Sequence, residues 1–168
     1  MEQDTIAHLF DSLNICPIGH RYDHPAVFTC DEADSIASDI PGGRSKNLFL
    51  RNKDKSRYYL VSVLAEKRVD IATFSRMIGE TKLSFASPED LLEQLGLTPG
   101  SVSPIGLMND TDRQVRFYLD SDLSRAGLMG FHPNTNTATW LLDESELRKF
   151  LAHTSHAMIV AKIPEKTE

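Results

Sequence analysis

Two apolar runs separated by a short charged turn constrain this chain more than any other feature. Asn47-Leu48-Phe49-Leu50 is followed by Arg51-Asn52-Lys53-Asp54-Lys55 and then by Arg57 to Leu64, a run of tyrosine, leucine and valine. Such residues fit a pleated surface, and a polar turn of this length joins antiparallel neighbours, so the stretch predicts a β-hairpin. The first run carries too many apolar residues to have a wet face, which places it inside a sheet. Just upstream, Gly42 and Gly43 can take backbone angles closed to other residues and allow a close approach to a ligand. Lys46 thus stands between a glycine turn and a buried strand, with its ammonium free to meet an anion or a carbonyl oxygen. The plainer reading is a solvated lysine at a strand end, and the context decides between them.

Around the hairpin the remaining elements can be read in order. Asp4 precedes Ile6, Leu9, Phe10 and Leu13 at helical spacing, so residues 4–13 predict an amphipathic helix, and Ile18 to His24 reads as extended. His24-Pro25 breaks the chain, and Thr29-x-x-Glu32 is a capping box that opens a short helix through Ala33, Ile36 and Ala37. A helix begins at Asp70 and ends at Gly79; Leu83 to Phe85 is a short strand; and Ser87-Pro88-Glu89-Asp90 caps a helix that runs to Gly96. Ser103-Pro104-Ile105-Gly106 reads as a constrained loop of the kind that lines sites. Strands are expected at Val115–Leu119, Leu128–His132, Thr137–Leu142 and His156–Ile163, with a capped helix over Asp143–Ala152. Trp140 reads as core. Strands and helices mix without strict alternation, so the expected class is α/β (α+β), a mixed, mostly antiparallel sheet surrounded by helices.

The 168 residues suffice to bury a core without metals or disulfides, and one domain over residues 1–168 is expected. No run approaches the about 20 apolar residues of a membrane helix, and Met1-Glu2-Gln3-Asp4 lacks a secretory pattern. Cys16 and Cys30 are too few for a disulfide framework and fit a reduced cytoplasm. Net charge is −6, yet residues 44–82 hold ten Lys or Arg against four acids, a local +6 that leaves −12 elsewhere. Such a region can receive phosphates on an acidic protein, although a charged hairpin is also the ordinary form of a solvated turn.

Spacing speaks against several chemistries. Cys16, His20, His24 and Cys30 match none of the usual zinc patterns. Gly42-Gly43-Arg44-Ser45-Lys46 lacks the phosphate-loop spacing and runs into a strand where a helix is required. No G-x-S-x-G elbow exists, and Ser45 would point to the opposite face of a strand from Lys46. His132, in Phe131-His132-Pro133-Asn134, can bind a substrate group or position water, or simply fix the Asn134–Asn136 turn.

Four separated stretches agree with one family: Ser45-Lys46-Asn47-Leu48-Phe49-Leu50, Leu83 to Glu89, Pro99 to Asp110, and Phe131 to Thr137. Together they resemble the YbaK-type prolyl-tRNA editing domains, and more narrowly the free-standing PrdX/ProXp-ala branch. The resemblance spans nearly the whole chain and implies a YbaK-like fold and a trans-editing deacylase that hydrolyses mischarged tRNA, most of all Ala-tRNA(Pro). It implies no metal and no organic cofactor, with tRNA and prolyl-tRNA synthetase as partners. By the family pattern Lys46 is the essential active-site lysine, while Asn47, the loop with Gly100, Ser103 and Gly106, and His132 surround the aminoacyl end. Val27, Phe28 and Ile105 are candidate walls of a pocket that admits alanine and rejects proline, each with core packing as its alternative. Two positions depart from the pattern, Ile105 where relatives often carry Phe, and Arg44 before Ser-Lys, and both bear on the preferred amino acid. The competing readings are a non-catalytic module that binds aminoacyl-tRNA or a synthetase, and a deacylase for serine or threonine.

Overall fold

The computed structural model describes residues 2–26 and 40–167. The expected helix at Ala33–Ala37, the candidate walls Val27 and Phe28, and Cys30 lie outside the described residues.

The expected hairpin is the centre of the fold. β2 (Gly43–Asn52) and β3 (Tyr58–Leu64) pair antiparallel from Ser45 opposite Leu64 to Arg51 opposite Tyr58. With β1 (Arg21–Asp23), β4 (Leu83–Phe85), β5 (Val115–Asp120), β6 (Met129–Phe131), β7 (Ala138–Leu142) and β8 (Met158–Ala161), they form an eight-stranded sheet among the described residues. Its order is β1-β7-β6-β2-β3-β5-β8, with β4 paired to β2 off that path. The pairings β1–β7, β6–β7, β2–β3 and β2–β4 are antiparallel, while β2–β6, β3–β5 and β5–β8 are parallel. The sheet is therefore mixed and mostly antiparallel, as expected.

Alternation along the strands sorts side chains onto two faces. One face carries Phe49, Leu60, Phe117, Met129, Phe131 and Trp140 into the main core. That face is covered by α1 (Glu2–Ser12), α3 (Pro88–Leu95), a 3-10 helix (Pro104–Asn109) and α5 (Glu144–Thr154), where Phe10 meets Trp140 edge-on at 5.4 Å and Phe150 at 5.3 Å. The second face carries Leu50, Tyr59, Val61, Val63 and Tyr118 into a smaller core. It is capped by α2 (Ile71–Met77), whose Phe74 stands edge-on to Tyr118 at 5.2 Å.

Helix ends follow their caps. Asp70, Ser87 and Asp143 each accept a backbone N–H in the first turn, and Asp143 with Glu146 forms a full capping box. Gly96 closes α3 in the left-handed region at φ +66°, where a side chain would be strained. A fourth helix, α4 (Ser121–Ser124), follows β5.

Two expected elements differ. Ile18 to His20 forms a 3-10 turn after Pro17, and only Arg21 to Asp23 is extended, because the fixed angle of Pro17 starts a turn that His20 N–H closes onto Pro17 O at 2.8 Å. Ser103 to Gly106 is a buried, hydrogen-bonded 3-10 start rather than a loop lining a site. The Ser103 hydroxyl accepts Ile105 N–H at 3.2 Å, so the first free donor of the turn is closed internally.

Candidate active site

The cleft arises where two parallel strands part. β2 pairs with β6 only at Gly43 opposite Met129 and Arg44 opposite Gly130, after which the strands diverge. The opening is lined by Ser45, Asn47, Gly130, His132, Thr139 and Leu141, with His24, Arg44 and the Ile40–Gly43 backbone at its margin. It encloses about 90 Å³.

Glycine makes the divergence possible. At Gly42, φ is +91° and a Cβ would lie 2.8 Å from Leu128 O; at Gly43 it would lie 2.7 Å from the Ala126 methyl. Neither position leaves room for a side chain.

The register sorts the residues around the cleft onto two faces of the sheet. Arg44 lies opposite Gly130, which lies opposite Leu141, so these three form one row across the sheet on the face away from the main core. Lys46, two residues on from Arg44, lies on that same face opposite Val63 and is not among the residues that line the cleft. Lys46 is half-buried and lies within β2, three residues past its start, rather than at a strand mouth. No other described residue bonds its ammonium.

Asn47 is on the core side. Its Nδ2 donates to Val102 O at 3.0 Å, and its Oδ1 accepts the Ser62 hydroxyl. Asn47 therefore ties the cleft wall to the Gly100–Ser103 segment.

That segment does not enter the cleft. Gly100 is an exposed turn residue at φ +95°; Ser103, Ile105 and Gly106 are buried. The amides of Ser101, Ile105 and Gly106 already donate to Thr98 O, Ser103 Oγ and Ser103 O, so they are not available as donors to a bound ester. Ile105 is fully buried in the main core, and a Cβ on Gly106 would lie 2.6 Å from Leu97 Cδ1. The packing alternative holds for Ile105, and the cleft walls among the described residues come from β6, β7 and the β2 backbone.

Two histidines meet at the far wall. His132 follows β6, and its Nδ1 lies 2.8 Å from Ala138 O; as a carbonyl only accepts, that nitrogen carries the proton. His24 follows β1, where its N–H continues the β1–β7 ladder to Thr137 O at 2.9 Å. Its Nδ1 faces Pro25 O at 2.9 Å and its Nε2 faces the Thr139 hydroxyl at 2.8 Å. The two ring centroids are 6.1 Å apart. Burial, opposed in part by the Ala138 bond and reinforced by nearby His24, holds His132 below its ordinary value.

The sequence considered His24 only as a metal ligand and did not single out Thr139. Both ring nitrogens of His24 are occupied within the protein, and Cys16 is buried beneath the α5 cap with its thiol pushed up to about 11 by desolvation. His24-Pro25 was the one available signal, since a proline fixes where the preceding residue points.

A profile for the aminoacyl-tRNA editing domain matches residues 24–150. The chain belongs to the aminoacyl-tRNA editing domain family. Membership makes it an enzyme of the aminoacyl-tRNA deacylase class. The prolyl-tRNA editing protein ProX of Acetoanaerobium sticklandii is 37% identical over 129 residues, covering 77% of this chain and 79% of that one. The prolyl-tRNA synthetase associated domain-containing protein 1 of Xenopus laevis is 34% identical and covers 95% of each chain. A crystal structure of a candidate trans-editing enzyme for prolyl-tRNA synthetase superposes with a TM-score of 0.71 at 25% identity over 98% of both chains. The matched stretch of this editing domain runs from His24, at the cleft, to Phe150 of the core.

Proposed function

We propose that this editing domain acts in trans, in association with prolyl-tRNA synthetase, to hydrolyse the ester of alanine wrongly attached to tRNA(Pro). The observation that carries the reading is the small cleft at the β2–β6 divergence, in a chain 37% identical to a prolyl-tRNA editing protein.

An aminoacyl ester is already activated, so the enzyme has only to orient water and stabilise the oxyanion that forms. Lys46 stands on the face of β2 that carries Arg44. In this reading its ammonium holds the ester carbonyl oxygen or the terminal phosphate of the acceptor end. Arg44, on the cleft margin, adds positive charge for the same phosphate. Asn47 serves by fixing the wall, not by touching the amino acid. The β6–β7 wall, with Gly130 leaving space between Thr139 and Leu141, limits the side chain admitted and rejects proline by size. A tRNA substrate accords with the cytoplasmic location expected from the cysteine usage, and no helix among the described residues is long and apolar enough to cross a membrane.

The test is hydrolysis of tRNAs charged with Ala, Ser, Thr and Pro by wild-type protein beside Lys46→Ala. The expected result is rapid release of alanine from tRNA(Pro), slowed about 100- to 1000-fold in the variant, the scale of losing one oxyanion donor. Release of serine or threonine instead would move the substrate and keep the chemistry. An unchanged rate in Lys46→Ala would remove the lysine from the mechanism.

A further inference from the structure

Three strands, β1, β4 and β8, have a single neighbour in the sheet among the described residues. A bare strand edge offers rows of backbone N–H and C=O groups to any extended chain, and proteins guard such edges by keeping them short or charged. β1 and β4 run for three residues each, and Arg21 on β1 is bonded to Asp11 at 2.7 Å and lies over the Trp140 ring. β8, Met158-Ile159-Val160-Ala161, is unguarded. It holds no charge and no proline, it pairs only with β5 among the described residues, and it leaves Ile159 38% and Val160 37% exposed. The chain does not fold back over it, since past Lys162 it buries Ile163 in the smaller core and pairs Glu165 with Val69.

Where β8 begins, the edge opens into a groove of about 320 Å³ whose lining includes Arg113, Arg116, Ser155, His156 and Ile159 and no acid. Both guanidiniums are exposed, and neither has a hydrogen bond or ion pair among the described residues. The carboxylate behind the wall is already spent, because Asp110 accepts the Gln114 and Val115 amides at 3.0 and 2.9 Å and faces His156 Nε2 at 2.9 Å. Tyr118 lies opposite Ile159 in the β5–β8 pairing, so Arg116, two residues before Tyr118, stands on the same face as Ile159. The edge therefore combines unpaired backbone, an exposed apolar side chain and two cations without countercharge.

We propose that this edge docks an extended acidic segment of a partner protein, which adds a strand to β8 and turns its carboxylates onto Arg113 and Arg116. Main-chain bonds supply affinity in such an addition, and alternate side chains of the added strand supply selectivity. Apolar residues on one face of the segment meet Ile159, and the guanidinium forks match carboxylates with paired hydrogen bonds. An RNA phosphate answers the two cations but not the strand edge or Ile159. A second copy of this chain presents β8 itself, which carries no carboxylate. In the strand order β3 and β5 stand between β2 and β8, so an occupant of this edge lies away from the β2–β6 opening.

The experiment uses the full chain and a fluorescent peptide of about six residues, the length of a strand, that alternates valine and glutamate. Anisotropy is expected to show saturable binding that weakens as salt rises, with no binding of a matched valine–lysine peptide. Arg113→Gln together with Arg116→Gln is expected to raise the Kd about tenfold or more. The Tm of that double variant should stay at the wild-type value, because neither side chain holds a partner in the fold. Hydrogen exchange at the β8 amides is expected to slow when the peptide is bound. Equal binding of the two peptides, no binding at millimolar peptide, or a Kd unmoved in the double variant overturns the proposal. So does bound peptide that leaves β8 exchange unchanged, a readout that needs no variant. Uncharged tRNA that displaces the peptide and loses affinity in the double variant assigns the groove to nucleic acid and overturns the proposal. A dimer in sedimentation that Ile159→Glu dissolves gives the edge to a second copy and overturns it equally.

Discussion

At the scale of single residues, the cleft depends on side chains whose polar atoms are engaged within the protein. Asn47 is the clearest case, since its amide joins β2 to Val102 and receives the Ser62 hydroxyl, a group with no solvent exposure. Asn47→Ala leaves that hydroxyl and the Val102 carbonyl without partners and is expected to cost about 1–3 kcal/mol. Chemical denaturation should show the loss, together with a larger fall in deacylation than Ser62→Ala gives. The family resemblance, rather than local spacing, grouped Lys46, Asn47 and His132, and of these Asn47 and His132 line the cleft. The His24 and Thr139 pairing was not legible. It depends on β1 joining β7, a contact across more than a hundred residues that periodicity cannot encode.

At the scale of elements, caps and turns were legible because their chemistry is written within four residues. Asp143 with Glu146 is such a device, and Asp143→Ala is expected to cost about 0.5–2 kcal/mol, read as a lower Tm with cleft chemistry intact. The Ser103–Gly106 segment was misread because serine, proline and glycine mark loops in general, whereas here they start a 3-10 turn that packs inward. Gly106→Ala separates the two roles. Its added methyl would meet Leu97 Cδ1 at 2.6 Å, and overpacking of this kind costs about 1–3 kcal/mol. A loss of stability with unchanged amino-acid preference in the surviving protein is expected; a changed preference would return the segment to the pocket.

At the scale of the whole molecule, the charge count and the burial of charge part company. Lys67, one of the ten bases in the local excess, is 4% exposed and bonded to Asp120 at 2.8 Å, Asp122 at 2.9 Å and Ile163 O at 3.0 Å. It therefore cannot meet a phosphate, and the basic surface is smaller than the composition suggested. Lys67→Met strands Asp120 without solvent or countercharge and is expected to cost about 3–5 kcal/mol, measured by urea unfolding. Acid acts on a second buried pair. Burial alone would raise the Asp110 carboxyl, but bonds from His156 at 2.9 Å and from the Gln114 and Val115 amides outweigh it and hold it below the ordinary 3.8. A depressed carboxylate contributes stability that is present above its unfolded value and is lost as pH falls through the folded one. Tm is expected to drop steeply below about pH 3.8, and Asp110→Asn should flatten that drop.

The parting of β2 from β6 also bears on how such a chain can change over generations. Gly43 and Arg44 are adjacent, yet one belongs to the row that ends in the core and the other to the row that ends at the cleft. Inserting or deleting a single codon in this strand would exchange the two rows and turn the binding surface inward. Point substitutions at Arg44, Thr139 or Leu141 leave the rows in place. Drift in substrate choice can therefore proceed by replacement at the cleft, while the length of β2 stays fixed.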